Sequence, residues 1–195
     1  MLWRREGESM TAELTGREYG VLCRQKFAKY FENKWGSYEL LGGSSYKFSN
    51  GRKVFTFFSS LNNAIWWFGV SKKYWINWDD QTYMALIMRE EIKCSTVMLN
   101  SINSKKLLNR IQPAQQNQKH LNIRIPSGPG KIYIQEWQDF PFEQNIIPLG
   151  NIELPKSPEE IFIERLSAMS KEEKEAFLEE FKKKISTARD CNYLS

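Results

Sequence analysis

A chain of 195 residues with 41% hydrophobic and 14% aromatic content has enough apolar material for one packed domain, which excludes a disordered chain. No apolar run approaches the roughly 18–20 residues that span a bilayer as a helix, and the opening "MLWRREGESM" lacks the apolar stretch of a secretory signal. The net charge of +5 is uneven: residues 1–150 carry 20 Lys/Arg against 13 Asp/Glu, and residues 151–195 carry 8 against 10, so a basic body suited to a polyanion precedes a weakly acidic tail.

After an N-terminal extension (1–14), the first expected helix covers 15–34. Thr15 and Glu18 form a T-x-x-E capping box, with Glu18 in the first turn where the helix dipole favours an acid. Tyr19, Leu22, Cys23, Phe27, Tyr30 and Phe31 recur at three- and four-residue spacing, interrupted by Lys26, and Gly36 offers a stop. "SYELLGG", "SSYKF" and "KVFTFFSS" read as strands, the last two joined through Asn50-Gly51, a pair that tolerates positive φ and marks a tight hairpin. "AIWWFGV" is apolar on both faces, as a central strand would be, with Trp66 and Trp67 in the core.

Farther along, "TYMALIMR" and "KCSTVMLN" pair around a turn at Glu90-Glu91. Residues 101–111 form a short helix capped by Asn100 or Ser101, with Ile102, Leu107, Leu108 and Ile111 on one side. A polar loop (113–119) leads to "LNIRI" and "KIYIQEW", a hairpin about "PSGPG". Prolines 141, 148, 155 and 158 make the next stretch an extended connector. The tail reads as two short helices forming an αα-hairpin, opened by capping boxes at Ser157–Glu160 and Ser170–Glu173. Phe177, Leu178, Phe181 and Ile185 form an apolar stripe that could engage a partner's groove, and Lys182, Lys183 and Lys184 lie near the helix end. The fold class is therefore α/β or α+β: a mixed central sheet with an N-terminal helix packed on it (body, 15–150), then a connector and C-terminal helical hairpin (151–195).

Little in the chain points to metal or nucleophile chemistry. Cys23, Cys94 and Cys191 are odd in number and scattered, and His120 is the sole histidine, so a zinc site would lack ligands and a Cys–His pair would have to form through space. Free thiols suit the cytoplasm. No cofactor is implied; "PSGPGK" lacks the spacing of a phosphate-binding loop and leads into a strand rather than a helix. Candidate catalytic carboxylates are Glu18, Glu39, Glu136 and Asp139, the last pair in "QEWQDF", where they could share Mg²⁺ with another acid. Asp79-Asp80 and Glu90-Glu91 read as caps and turns.

The basic residues form three groups suited to nucleic acid. Arg52 and Lys53 sit at the hairpin tip with Lys47 nearby; Lys72, Lys73, Trp75 and Trp78 interleave cations with rings that could stack on bases; Lys105, Lys106 and Arg110 line one side of the short helix.

The order helix, strand, Asn-Gly hairpin, strand, then strand and helix, together with "TGREYG" opening the first helix, resembles the restriction-endonuclease-like PD-(D/E)XK superfamily over residues 15–112. The resemblance makes 44–58 the catalytic hairpin. Its first acid would fall near Ser45 or Tyr46 and its (D/E)-x-K within "KVFTFFSS"; neither is present, and Glu18 alone of the acidic set remains. The resemblance thus implies a non-cleaving member. The expected function is a non-catalytic DNA- or RNA-binding protein, such as an accessory or specificity subunit of a DNA defence, recombination or transposition system. A protein-interaction adaptor and a Mg²⁺-dependent nuclease with relocated carboxylates are the alternatives.

Overall fold

The computed structural model describes residues 14–71, 74, 78–111, 113–114, 118–156 and 158–191. Contacts divide the chain between Glu153 and Leu154 into a body, residues 12–153, and a unit that contains the C-terminal helices.

In the body, helix α1 (Gly16–Trp35) begins with the expected capping box: the Glu18 N–H donates to Thr15 Oγ1 and the Thr15 N–H donates to Glu18 Oε2. Its 3-4 periodicity buries Cys23, Phe27, Ala28 and Phe31. The Gly36 N–H closes the helix on Glu32 O at φ +84°. Strands β1 (Tyr38–Gly42), β2 (Ser45–Phe48) and β3 (Lys53–Ser60) form an antiparallel meander. Asn50-Gly51 does turn the β2–β3 hairpin, but only Gly51 adopts positive φ, +89°. The Asn50 side chain instead accepts the Arg52 N–H at 3.1 Å, and the Gly51 N–H donates to Phe48 O at 2.9 Å. This is a three-residue loop with a glycine bulge, longer than a two-residue Asn-Gly turn.

The chain then leaves the sheet. Asn63 and Ala64 at positive φ lead to β4 (Ile65–Ser71), which belongs to a second, smaller sheet ordered β4-β8-β7, with β9 also on β8. Strand β5 (Thr82–Glu90) returns to the first sheet and lies parallel to β3 from Lys53↔Thr82 to Ser60↔Arg89. It turns through Glu91, φ +50°, into antiparallel β6 (Lys93–Leu99), the expected Glu90-Glu91 hairpin. Helix α2 (Ser101–Arg110) is capped by Asn100 and followed by β7 (Pro113–Ala114), β8 (Gln118–Arg124) and β9 (Tyr133–Ile134). A single turn, α3 (Phe142–Asn145), precedes β10 (Ile146–Asn151), which pairs with β6 and completes a six-stranded mixed sheet ordered β1-β2-β3-β5-β6-β10.

Period-two alternation on β3, β5 and β6 supplies one core per face. Phe57, Met84, Leu86, Met88, Val97 and Leu99 meet the second sheet and α2 through Trp66, Phe68, Val70, Leu107, Leu108, Leu121 and Ile123. Val54, Ala85, Ile87 and Cys94 meet α1. At about 1.5–3 kcal/mol for each fully buried large apolar side chain, these two layers account for most of the stabilisation.

Several sequence expectations change: the polar loop (113–119) contains β7 and the start of β8, and "KIYIQEW" supplies only the two-residue β9. "AIWWFGV" supplies an edge strand of the second sheet rather than a central one. Its apolarity on both faces arises because Trp67, 50% exposed, points outward while Trp66 is buried. On α2, Ile102 is 63% exposed and the buried face is Ser101, Ser104, Leu107 and Leu108. The proline-rich connector contains α3 and β10; Pro148 is tolerated because β10 is an edge strand.

In the C-terminal unit, α4 (Pro158–Ala168) precedes α5 (Lys171–Cys191), whose 21 residues make it longer than expected and place Lys182–Lys184 in its interior. Ser170 and Glu173 form the expected capping box. The rings of Phe162 and Phe177 meet at 5.9 Å. Ser157 and the side chains of Phe181 and Ile185 lie outside the described residues. Among the described residues, no helix is long and apolar enough to cross a membrane.

Candidate functional site

Lysines and arginines on exposed hairpins and helices hold phosphates most readily where their charge is not already matched. Four of the six described basic candidates are matched. Lys47 pairs with Glu39 at 3.4 Å, Lys53 with Asp79 at 2.7 Å, Lys105 with Asp80 at 3.2 Å, and Arg110 with Asp139 at 3.4 Å. The Arg52 guanidinium lies 4.8 Å from the Trp35 ring centroid and 5.6 Å from that of Tyr83, folded onto the body. Lys106 is exposed on α2. Lys72, Lys73 and Trp75 lie outside the described residues. Trp78 is not available for stacking: it is buried, its indole N–H donates to Thr82 O at 3.1 Å, and its ring sits 5.4 Å from Phe55.

The carboxylate candidates are also structurally engaged. Glu18 belongs to the α1 cap, and its hydrogen bonds with Thr15 hold its carboxyl below the usual range. Glu39 and Asp139 are the ion-pair partners named above. Glu136 is partly buried beside β8, where burial pushes its carboxyl up and the Asn122 N–H donates to its Oε2 at 3.2 Å. Among the described residues, no three His, Cys, Asp or Glu side chains are grouped to hold a metal ion. Cys23 and Cys94 lie in the core between α1 and the large sheet, where hydrogen bonding between them and burial push the Cys94 thiol up. His120 is on the second sheet against Trp67, so neither buried thiol forms the Cys–His pair considered from sequence.

Asp79 is a structural hub. Its carboxylate accepts Lys53 Nζ at 2.7 Å, Thr82 Oγ1 at 2.5 Å and the Gln81 N–H at 3.0 Å, and its carbonyl accepts Ser101 Oγ at 2.7 Å. The bonds from Lys53 and Thr82 hold its carboxyl below the usual range.

The surface with unspent recognition chemistry is the outer face of the second sheet. Alternation along β4 turns Ile65, Trp67, Gly69 and Ser71 away from the core, and along β8 does the same for His120, Asn122 and Arg124. The register sets Trp67 opposite Asn122, Gly69 opposite His120 and Ile65 opposite Arg124. The His120 ring lies 4.6 Å from that of Trp67 at a 58° tilt, bracing one edge of the indole while half of it stays open. Gln135 beside them accepts Arg124 Nε–H at 2.6 Å and Asn122 Nδ2–H at 3.4 Å, which fixes both side chains across the face. An aromatic plate flanked by a guanidinium and two amides is equipped to stack a planar ring and bond its edge. Sequence reading missed this face because it assigned Trp67 to the core; strict alternation of Trp66 and Trp67 between two sides of one strand was the available signal.

Comparison with protein-family models, with curated proteins and with solved structures finds no match to this chain.

Proposed function

We propose that the body is a non-cleaving nucleic-acid-binding module that takes single-stranded DNA or RNA across the outer face of the second sheet. The observation that carries the reading is Trp67, half exposed and braced by His120 within a row that includes Asn122 and Arg124. A half-open indole braced from one side offers its ring face to a base, with stacking worth about 1–3 kcal/mol. Paired bases in a duplex present no free ring face, so the site favours single strands. The basic balance of residues 1–150 supplies the long-range attraction. The absence of the carboxylates that a PD-(D/E)XK hairpin requires, and the engagement of Glu18, Glu39 and Asp139 elsewhere, favour binding without cutting.

The test is fluorescence anisotropy with labelled single- and double-stranded oligonucleotides over a salt series. Single strands bind more tightly than duplex, affinity falls with salt, and Trp67→Ala weakens binding about 5- to 150-fold, as the loss of one stacked base would. Equal affinity in Trp67→Ala, with its melting curve intact, would overturn the reading. A second reading, a protein-interaction role for the C-terminal unit, is favoured by the exposure of Ile161, Phe162, Ile163 and Leu178.

A further inference from the structure

A hydroxyl sealed from water without a partner is costly, so its surroundings show what is meant to meet it. Ser71 Oγ is such a group: it is buried and has no hydrogen-bond partner among the described residues. It lines a pocket of about 210 Å³ with Arg24 of α1, Ser44, Thr56, Phe58 and Gly69. Arg24 forms no ion pair among the described residues, although Lys47, Lys53, Lys105 and Arg110 all do. Its Nη2 and the Phe58 ring lie 3.2 and 3.1 Å from the point where a Cβ on Gly20 would sit. Thr56 Oγ1 donates to Ser44 O at 2.9 Å, which spends its proton; Arg24 and Ser71 line the pocket as donors, with the Tyr74 phenol also in its wall.

A guanidinium without a carboxylate and a hydroxyl without an acceptor among the described residues together suit an anion with several acceptor oxygens. Gly69 joins this pocket to the stacking face, since it lines the one and pairs with His120 on the other. Trp67 and Ser71 are four residues apart on the same side of β4, roughly 13 Å at about 3.3 Å per residue.

We infer that this pocket is a phosphate site, with Arg24 donating to the phosphate oxygens and Ser71 joining it by a χ1 rotation that turns its buried Oγ into the pocket, and that it holds a phosphate of the strand whose base stacks on Trp67. The second half rests on the proposed single-strand reading; the first does not. Free phosphate or a phosphomonoester presents the same oxygens, so the experiment separates the sources.

Thermal melting of the full chain is followed with inorganic phosphate against chloride at equal ionic strength, for the wild type, Arg24→Gln and Ser71→Val. A ligand bound only by the folded state raises the midpoint. Phosphate raises the wild-type midpoint, and the rise disappears in Arg24→Gln and shrinks in Ser71→Val. Ser71→Val removes an unsatisfied hydroxyl, so it melts no lower than wild type without phosphate, which separates lost binding from lost folding. A midpoint indifferent to phosphate, or one that rises equally in all three proteins, overturns the site; the latter would fit a pocket filled by water alone.

Oligonucleotide anisotropy then assigns the source. Weakening of about tenfold in Arg24→Gln, together with weakening of wild-type binding by added phosphate that Arg24→Gln does not show, supports a strand phosphate. Phosphate stabilisation with no oligonucleotide binding by the wild type overturns the strand assignment and the stacking proposal, and leaves a free-phosphate site. Oligonucleotide binding that needs Trp67 but ignores Arg24 and Ser71, with no effect of phosphate on melting, overturns the pocket and leaves the stacking face standing.

Discussion

Replacing Asp79 by Asn keeps the shape of the side chain and removes only its charge. The carboxylate holds Lys53 at the start of β3 and Thr82 at the start of β5, and so pins together the first residues of the parallel pair. A hydrogen bond to a charged group contributes about 1.5–3 kcal/mol when shielded. Here Lys53 and Asp79 are 41% and 46% exposed, which reduces their pair to about 0.5–1 kcal/mol. Thr82 is 1% exposed, and its bond to Asp79 loses about 1 kcal/mol when the acceptor becomes a neutral amide oxygen, the difference between a charged and a neutral hydrogen bond. The expected loss for Asp79→Asn is about 1.5–2 kcal/mol at neutral pH, or roughly 3–8 °C in melting midpoint for a chain of this size.

Because the folded carboxyl lies below its usual range, the unfolded chain takes up the proton first. The contribution is complete above the unfolded value of about 3.9 and is lost as pH falls through the lower folded value. Urea unfolding of wild type and Asp79→Asn at neutral pH and at about pH 3 measures this directly, and the gap between the two proteins narrows in acid. Asp80→Asn is the control: Asp80 is 93% exposed and its loss should cost under about 0.5 kcal/mol. A penalty for Asp79→Asn that is undiminished in acid, or no larger than that of the control, would refute the argument.

Three further outcomes are expected. Gly36→Ala places a Cβ 2.1 Å from Ser49 Oγ at φ +84°, ψ −175° and should cost about 2–4 kcal/mol; adding Ser49→Ala should recover the steric part and leave about 1–3 kcal/mol of backbone strain, read from a double-mutant cycle in urea. Trp78→Phe removes the donor to Thr82 O and should cost about 1–3 kcal/mol, seen as a lower denaturation midpoint. Glu136→Gln should make the protein slightly more stable at neutral pH. Burial raises the folded carboxyl of Glu136, so stability falls as pH rises from the unfolded value of about 4.3 through the folded one, and Gln removes that slope in a pH series of melts.

Where the pattern along the chain was local, it was sufficient. The capping boxes at Thr15 and Ser170, the β5–β6 turn at Glu91 and the apolar face of α1 all depend on residues within a few positions of one another. What could not be read depended on partners far away in sequence. Lys53 and Asp79 are 26 residues apart and Arg110 and Asp139 are 29 apart, so both looked unpaired. Trp66 and Trp67 are distinguished only by which side of β4 meets the large sheet, and pairing with β8 decides that. Trp78 sits in a polar, aromatic stretch that suggests a surface, and its burial is permitted because Thr82 O is positioned to receive the indole proton. The candidate pocket was the least legible, since Arg24, Thr56 and Ser71 lie on three elements with no shared motif.

The excursion of β4 between β3 and β5 has a kinetic consequence. The β2–β3 and β5–β6 hairpins each close over a few residues and can zip without help, whereas the β3–β5 seam joins parallel strands across residues 61–81. The seam therefore cannot nucleate locally, and the two hairpins must dock after each has formed. Its eight residue pairs run through the centre of the large sheet, so docking and closure of both hydrophobic layers are one event. Enlarging the buried Ala85 on that seam would then slow the final, cooperative phase of refolding while leaving the early hairpin signal unchanged.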